Sequence, residues 1–402
     1  MNQERTPAGT PAIFFTKQPI LDHQRAIWGY ELLGGAFKEG LFEVFPQQES
    51  AAGLYSSTYL GLQEAMERGK KIVVGFDAQG ILSGTPHALP PASGVVRVLP
   101  GEIEAAEIVE TLQTMRSAGY QTALEVSRDF PLSEALHHQA DILSFDLARG
   151  KPDPALLSRM GQTPAQKLVR GVKTQEQFLE AKDWGFALFQ GPFFKAPEYR
   201  RDRRLGSNEV ARLNLFRLLE AEDLDVKVLS AAIGSDVSVS FRLLSYLNSA
   251  WFGFRHNIQS IDQAIVLLGW VKLKSWLRAV LFVDLAGKEE VPQELAALSL
   301  QRGRFLELLG TEVDYWGFNP SSLFLLGLFS LMDSILGMSM EKVVELLPLE
   351  AKLKGALRHD PNNEYRSLFE LLESLEDGDW PTLDTLTQQL DWAGGFFATR
   401  NP

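Results

Sequence analysis

Two hydrophobic rhythms divide this chain. Through the first half, short apolar runs recur at residues 72–76, 95–99, 122–126, 142–147, 168–172 and 187–194, rich in Val, Ile, Leu and Phe and without clean polar alternation. Strands buried on both faces carry such runs. Helical segments lie between several of them. Residues 102–119 have an acidic first turn, apolar positions at Ile108, Leu112 and Met115, and a closing Gly119. Residues 174–185 open with Thr174 and Gln177 at capping-box spacing and stop at Gly185. Strand, helix, strand in repetition predicts a parallel sheet, closed as a barrel or open. The runs at 13–20 and 26–33 predict instead an antiparallel hairpin with its turn at 22–24.

Beyond Pro197 the period changes. Val210, Leu213, Phe216 and Leu219 fall on one helical face, and Ser260 with Gln263 makes a second capping box ahead of Ile261, Ala264, Ile265 and Leu268. No strand-like run follows. The pattern predicts an α/β domain over residues 1–203 and an all-helical (all-α) domain over 204–402. The apolar stretch 323–332 is too short to span a bilayer and stops against Asp333, so it predicts a buried helix.

Composition narrows the function by exclusion. With 45% hydrophobic and 22% charged residues in 402, the chain can bury sizeable cores. A net charge of −12 repels phosphate backbones, so nucleic acid is not expected as a partner. The absence of cysteine removes disulfides, thiolate zinc sites and thiol nucleophiles. The polar start at residues 1–11 lacks the apolar core of a secretion signal, and the expectation is a cytoplasmic protein with no membrane segment.

Chemical motifs are scarce. The sequence contains no P-loop, no dinucleotide fingerprint and no His-Glu-x-x-His pair. His137 and His138 are adjacent on a predicted helix, so they diverge by about 100° rather than converging on one ion. His359-Asp360 sits in a Pro and Asn-rich loop, which favours a turn over a metal site. The arginine cluster at 200–204 reads as salt bridges or a solvated face at a domain junction.

Two sets of residues carry a family resemblance. Gln18-Pro19-Ile20, Gly29-Tyr30-Glu31-Leu32-Leu33, Gly119-Tyr120 and Leu188-Phe189-Gln190-Gly191-Pro192-Phe193-Phe194 resemble landmarks of EAL domains, the cyclic di-GMP phosphodiesterases. Leu247-Asn248-Ser249-Ala250-Trp251-Phe252-Gly253, Ser260-Ile261, Ala264-Ile265, Leu268-Gly269 and Leu326-Gly327-Leu328-Phe329-Ser330-Leu331-Met332-Asp333 resemble the HDOD domain, a relative of HD hydrolases. That order, with the ending Leu375-Glu376-Asp377-Gly378-Asp379-Trp380, resembles the EAL–HDOD regulators of bacterial signal transduction. The resemblance implies a degenerate EAL-type (β/α) barrel followed by an HDOD all-helical domain.

It also implies a lost chemistry. Active EAL enzymes hold two hard divalent cations with clustered carboxylates and an Asn, and the metals generate the attacking hydroxide. Carried across, Glu31 survives as the first carboxylate, the Asn position falls near Gly75, and the next Glu falls among Arg97, Val98 and Leu99. The Asp pair becomes Glu125-Val126, the catalytic Lys becomes Ser144, Asp146 survives, and later acidic positions fall at Arg170 and Lys173. Where HD hydrolases carry their His-Asp pair, the chain reads Ser330-Leu331.

The expected protein is a non-enzymatic signalling or scaffold module with protein partners, no catalytic residues, no metal and no cofactor. Two alternatives stay open: a cyclic di-GMP receptor, and a residual phosphodiesterase using Glu31, Glu125 and Asp146. Gln18, Glu31, Glu125, Asp146 and Gln190 are the ligand-binding candidates at the barrel mouth. Asn248, Trp251 and Phe252 are candidates for a protein contact, and self-association is left open.

Overall fold

In the computed structural model the described residues are 12–38, 41–44, 60–99, 106–126, 136, 138–198, 204–221, 226–249, 258, 260–312 and 318–389. They form two compact units, one made of Met1–Ala196 with Ser367–Pro402 and the other of Pro197–Arg366.

The first unit opens with the hairpin that the sequence predicts, β1 (Ala12–Asp22) and β2 (Ile27–Lys38). The Asp22 carboxylate accepts from the backbone N–H groups of Gln24 and Ala26 at 2.8 and 2.9 Å, and Arg25 takes φ 64° to close the turn. Then follow β3 (Leu41–Val44), α1 (Leu60–Glu67), β4 (Lys71–Phe76), α2 (Ala78–Leu82), β5 (Gly94–Val98), α3 (Ala106–Ser117) and β6 (Gln121–Glu125). The series continues with β7 (Ile142–Asp146), α4 (Pro154–Gly161), β8 (Gln166–Arg170), α5 (Gln175–Asp183) and β9 (Leu188–Gln190). The strand β9 is shorter than the run at 187–194 suggests, because Gly191 at φ 142° and Pro192 turn the chain into a 3₁₀ turn.

Strands β2 and β4 to β9 are joined by parallel pairings in sequence order, and β1 bridges β9 and β2 antiparallel, so eight strands close into a barrel with β3 added outside β2. Side chains alternate in and out along each strand. Ile20, Val73, Val95, Ala123, Ile142, Leu168 and Leu188, one from each of seven strands, pack as an apolar layer inside, with Trp28 from the eighth against it.

The second unit is helical: α6 (Ser207–Leu219), α7 (Val226–Ser235), α8 (Val237–Leu247), α9 (Ile261–Leu268), α10 (Trp270–Ala286), α11 (Glu290–Glu312), α12 (Pro320–Phe329), α13 (Met332–Leu336), α14 (Met340–Leu346) and α15 (Ala351–Leu357). Ser260 accepts from the Gln263 N–H, as its capping box predicts. The apolar stretch at 323–332 supplies a core helix up to Phe329, with every residue from Leu323 to Phe329 buried, and then breaks at 330–331 before α13 begins. Phe329 packs at its centre, 5.4 Å from the Phe216 ring and 6.1 Å from Phe282. No single described helix is long and apolar enough to cross a membrane.

The helices α16 (Arg366–Asp377) and α17 (Trp380–Gln389) complete the chain. The expectation of one helical domain over 204–402 needs correction here. All but the first residue of α16, and the whole of α17, fall in the barrel's unit, where α17 packs against β3 and buries Trp380, Leu383 and Leu386. Helical periodicity identifies a buried face but says nothing about which core receives it.

Candidate functional site

A polar layer lies directly above the apolar one. Two residues further toward the C-terminal ends of the parallel strands, the inward positions become Gly75, Arg97, Glu125, Ser144, Arg170 and Gln190. Gln18 and Glu31 face each other across the β1–β2 pair and complete the layer. Active sites of parallel barrels occupy this end.

Glu31 is the centre of the network and is only 1% exposed. Arg97 Nε lies 2.6 Å from Glu31 Oε1, a contact ion pair whose N–H is not aligned on the oxygen. Arg170 Nη2 stands 3.5 Å from Oε2, and Gln190 Nε2 donates to the same oxygen at 2.5 Å. Burial opposes ionisation of Glu31, but the charges of Arg170 and Arg97 and the Gln190 hydrogen bond outweigh it and hold the carboxyl below its ordinary range. Glu31 is therefore a carboxylate at neutral pH.

Glu125 forms the second node. Arg149 Nη2 lies 3.0 Å from Oε1, while Arg170 Nη1 and Arg97 Nη1 approach Oε2 at 3.8 and 4.0 Å. Arg170 Nε also donates to Gln190 Oε1 at 2.9 Å. Two acids thus share three guanidiniums. Each buried charge has an opposite neighbour, which is the condition for tolerating it there.

The residues present do not fit a pair of divalent cations. Of the three candidate carboxylates, Glu31 and Glu125 already hold guanidinium partners and Asp146 caps a turn, and a dication beside the first two would meet Arg97 and Arg170 as like charges. Gly75 offers no side-chain ligand atom, and Arg97 fills the space beside it: a Cβ at 75 would stand 3.1 Å from Arg97 Nη2. Among the described residues, no three His, Asp or Glu side chains converge as a metal site.

Of the five mouth candidates, Gln18, Glu31, Glu125 and Gln190 belong to this one network. Asp146 lies at its edge: its carboxylate caps the following turn by accepting from the Ala148 N–H at 2.9 Å, and its charge is felt by Arg170. Asp77 is exposed and caps α2 through the Gly80 N–H, and Lys173 is exposed. In the sequence Arg97 and Arg170 stand where acidic positions are replaced, and only the folded barrel makes them partners of Glu31 and Glu125. The period-two step from Val95 and Leu168 was the signal that places both inside the barrel.

In the second unit Asn248 caps α8, and its amide binds both backbone atoms of Ile258, donating to the carbonyl at 2.9 Å and accepting from the N–H at 2.7 Å. That bonding explains Asn248 as a loop clamp. Trp251 and Phe252 lie outside the described residues. Ser330 receives a hydrogen bond from Arg302 Nη1 at 3.0 Å, and both residues are buried. Asp333, with no His near it in sequence, accepts from the Ser334 N–H at 2.8 Å and feels the charge of His359 across the fold.

A closed barrel of mostly parallel strands with an ion-paired interior is thus followed by a helical unit, and residues 208–342 of that unit match the HDOD domain. The HDOD match falls in the half of the chain whose motifs implied it. Along nearly its whole length the chain is similar to the uncharacterized protein YuxH of Bacillus subtilis, 29% identical over 388 residues and covering 94% of each. It is also similar to the cyclic di-GMP phosphodiesterase CdgJ of Vibrio cholerae, 29% identical over 380 residues, 91% of this chain and 85% of that one. Among solved structures, it is similar to an EAL domain protein from Listeria monocytogenes (15% identity, TM-score 0.36, covering 46% of this chain and 87% of that one). The PaMucR phosphodiesterase in complex with c-di-GMP is similar at 19% identity and a TM-score of 0.35, covering 45% of this chain and 94% of that one.

Proposed function

We propose that this protein is a non-enzymatic module of cyclic di-GMP-related bacterial signalling, acting through contacts with a protein partner. One observation carries the reading: the layer where a phosphodiesterase would assemble its metals is occupied by Arg97 and Arg170, paired with the acids that remain. Metal-assisted hydrolysis needs oxygen ligands free to bind the ions and a lowered water pKa that only the ions supply. The guanidinium partners of Glu31 and Glu125, and the turn capped by Asp146, support the reading that these oxygens are already engaged.

CdgJ bears the name of a phosphodiesterase, so activity is the first reading to exclude. Full-length protein incubated with cyclic di-GMP and Mn²⁺ should release no linear product. Turnover above a Glu31→Ala control would overturn the proposal.

A receptor role is the second reading, favoured by the side chain of Arg149, which is 38% exposed and carries a planar guanidinium suited to phosphate. Calorimetry with cyclic di-GMP separates the two. Silence supports the non-enzymatic module alone, and micromolar binding without turnover moves the conclusion to a receptor whose two states differ in ligand affinity.

A further inference from the structure

The polar layer does not end inside the barrel. Gln190 Nε2 carries two N–H groups, one donated to Glu31 Oε2 and the other to Gln18 Oε1 at 3.0 Å. Gln18 in turn donates through Nε2 to the backbone carbonyl of Glu376 at 2.9 Å, 358 residues further along the chain. Glu376 sits near the end of α16, and its own carboxylate pairs with Lys195 Nζ at 2.8 Å, with Asp377 beside it at 3.4 Å. Gly378 follows at φ 67°, packed so closely on Leu33 that a Cβ there would stand 3.1 Å from Leu33 Cδ1. Lys195 is the second-last residue of the first unit before the chain departs at Pro197, and Glu376 comes ten residues after Arg366, where the chain returns.

The direction of each hydrogen bond in this series is forced. A carboxylate only accepts, so Glu31 fixes the NH₂ end of Gln190 toward itself. Arg170 Nε only donates, so it holds the Gln190 oxygen on the opposite side. The second N–H of Gln190 must then meet an acceptor, which turns the Gln18 oxygen inward and its NH₂ outward. The outward NH₂ meets the Glu376 carbonyl. Reversing either amide would set donor against donor at one end of the series.

We propose that residues 376–380 form a clasp on the barrel, and that the acceptor-only carboxylate of Glu31 sets its grip through the orientations of Gln190 and Gln18. Any event that changes what Glu31 accepts from, whether a bound ligand or a partner's side chain, is carried to the point where the chain re-enters the first unit. Lys195 holds the clasp from outside and Gln18 from inside. The buried network then acts as a transmitter of state, a role that stands apart from whether the barrel binds a nucleotide.

Hydrogen exchange of the full-length protein, read on a peptide covering residues 372–383, tests this. Gln18→Leu removes the link to the Glu376 carbonyl without touching an arginine, and exchange there should quicken about fivefold, the effect of one lost hydrogen bond. Gln190→Met should quicken it too, yet add nothing in a Gln18→Leu background, because both act through one series. Exchange in β7 should stay unchanged and report an intact barrel. Unchanged exchange in Gln18→Leu overturns the proposal, and so do effects of the two substitutions that multiply. Should Gln190→Met fail to fold, the Gln18→Leu measurement decides alone.

Discussion

Arg97 occupies the space that Gly75 leaves empty. The two stand opposite one another in the β4–β5 register, and a Cβ at 75 would meet Arg97 Nη2 at 3.1 Å and Leu99 Cδ2 at 3.0 Å. Gly75→Asn is therefore expected to cost about 1–3 kcal/mol through overpacking. Arg97→Ala strips the contact partner of a buried carboxylate and should cost roughly 3–5 kcal/mol. In the double variant the Asn gains room, so urea unfolding should show a loss smaller than the sum by about 1 kcal/mol or more. Additive losses would mean that the two positions are independent.

Glu31 gives a pH dependence with a definite sign. Its folded-state pKa is depressed below the ordinary value of 4.5, because the Arg170 and Arg97 charges and the Gln190 bond outweigh the burial that raises it. Such a group stabilises the fold fully above its unfolded pKa, and the contribution is lost as pH falls through the folded value. Glu31→Gln should lower the melting temperature at pH 7 and narrow its deficit once the pH drops below 4.5. A deficit that stays constant on acidification would show that the carboxylate charge is not the stabilising feature.

These two residues also mark what the sequence made legible. The apolar runs contain the strands, and counting two residues on from Val95, Ala123, Leu168 and Leu188 reaches Arg97, Glu125, Arg170 and Gln190, so these could be placed together without coordinates, whereas Glu31 is placed by its register opposite Val73. The partner of each charge could not, because Arg97 meets Glu31 from a strand 66 positions away (97 minus 31), across the β2–β4–β5 register, and Arg170 reaches it only through barrel closure. Glu376 was hidden more deeply. Its helix has the period of the helices before it, and only tertiary packing assigns it to the barrel.

Asp333 should behave oppositely to Glu31. Burial raises its pKa, and the Ser334 hydrogen bonds and the charge of His359 do not offset that fully. The native fold therefore bears a cost for the ionised form, present above the raised pKa and relieved as pH falls through it. Asn can still accept from the Ser334 N–H, now 2.8 Å from Asp333 Oδ1. Asp333→Asn should melt at or above the parent temperature at pH 7, with the advantage shrinking on acidification. A lower melting point at pH 7 would indicate that the His359 charge dominates.

The crossing of α11 and α12 rests on two glycines. A Cβ at Gly327 would fall 2.4 Å from the Gly303 nitrogen and 2.5 Å from the Arg302 carbonyl carbon, both backbone atoms that cannot rotate away. Gly327→Ala must therefore part the helices, loosening the packing of Phe329 on Phe216 and Phe282 and straining the buried bond from Arg302 to Ser330. The expected loss is more than about 3 kcal/mol, the range of severe overpacking. Gly161→Ala is the reference, since the nearest atom to its added methyl is a lysine nitrogen at 4.0 Å. There the helix former should gain up to about 1 kcal/mol. Hydrogen exchange locates the effect: Gly327→Ala should expose amides of α11 and α12 while those of β7 keep their protection. Equal loosening of β7 would mean that the damage is not local to the crossing.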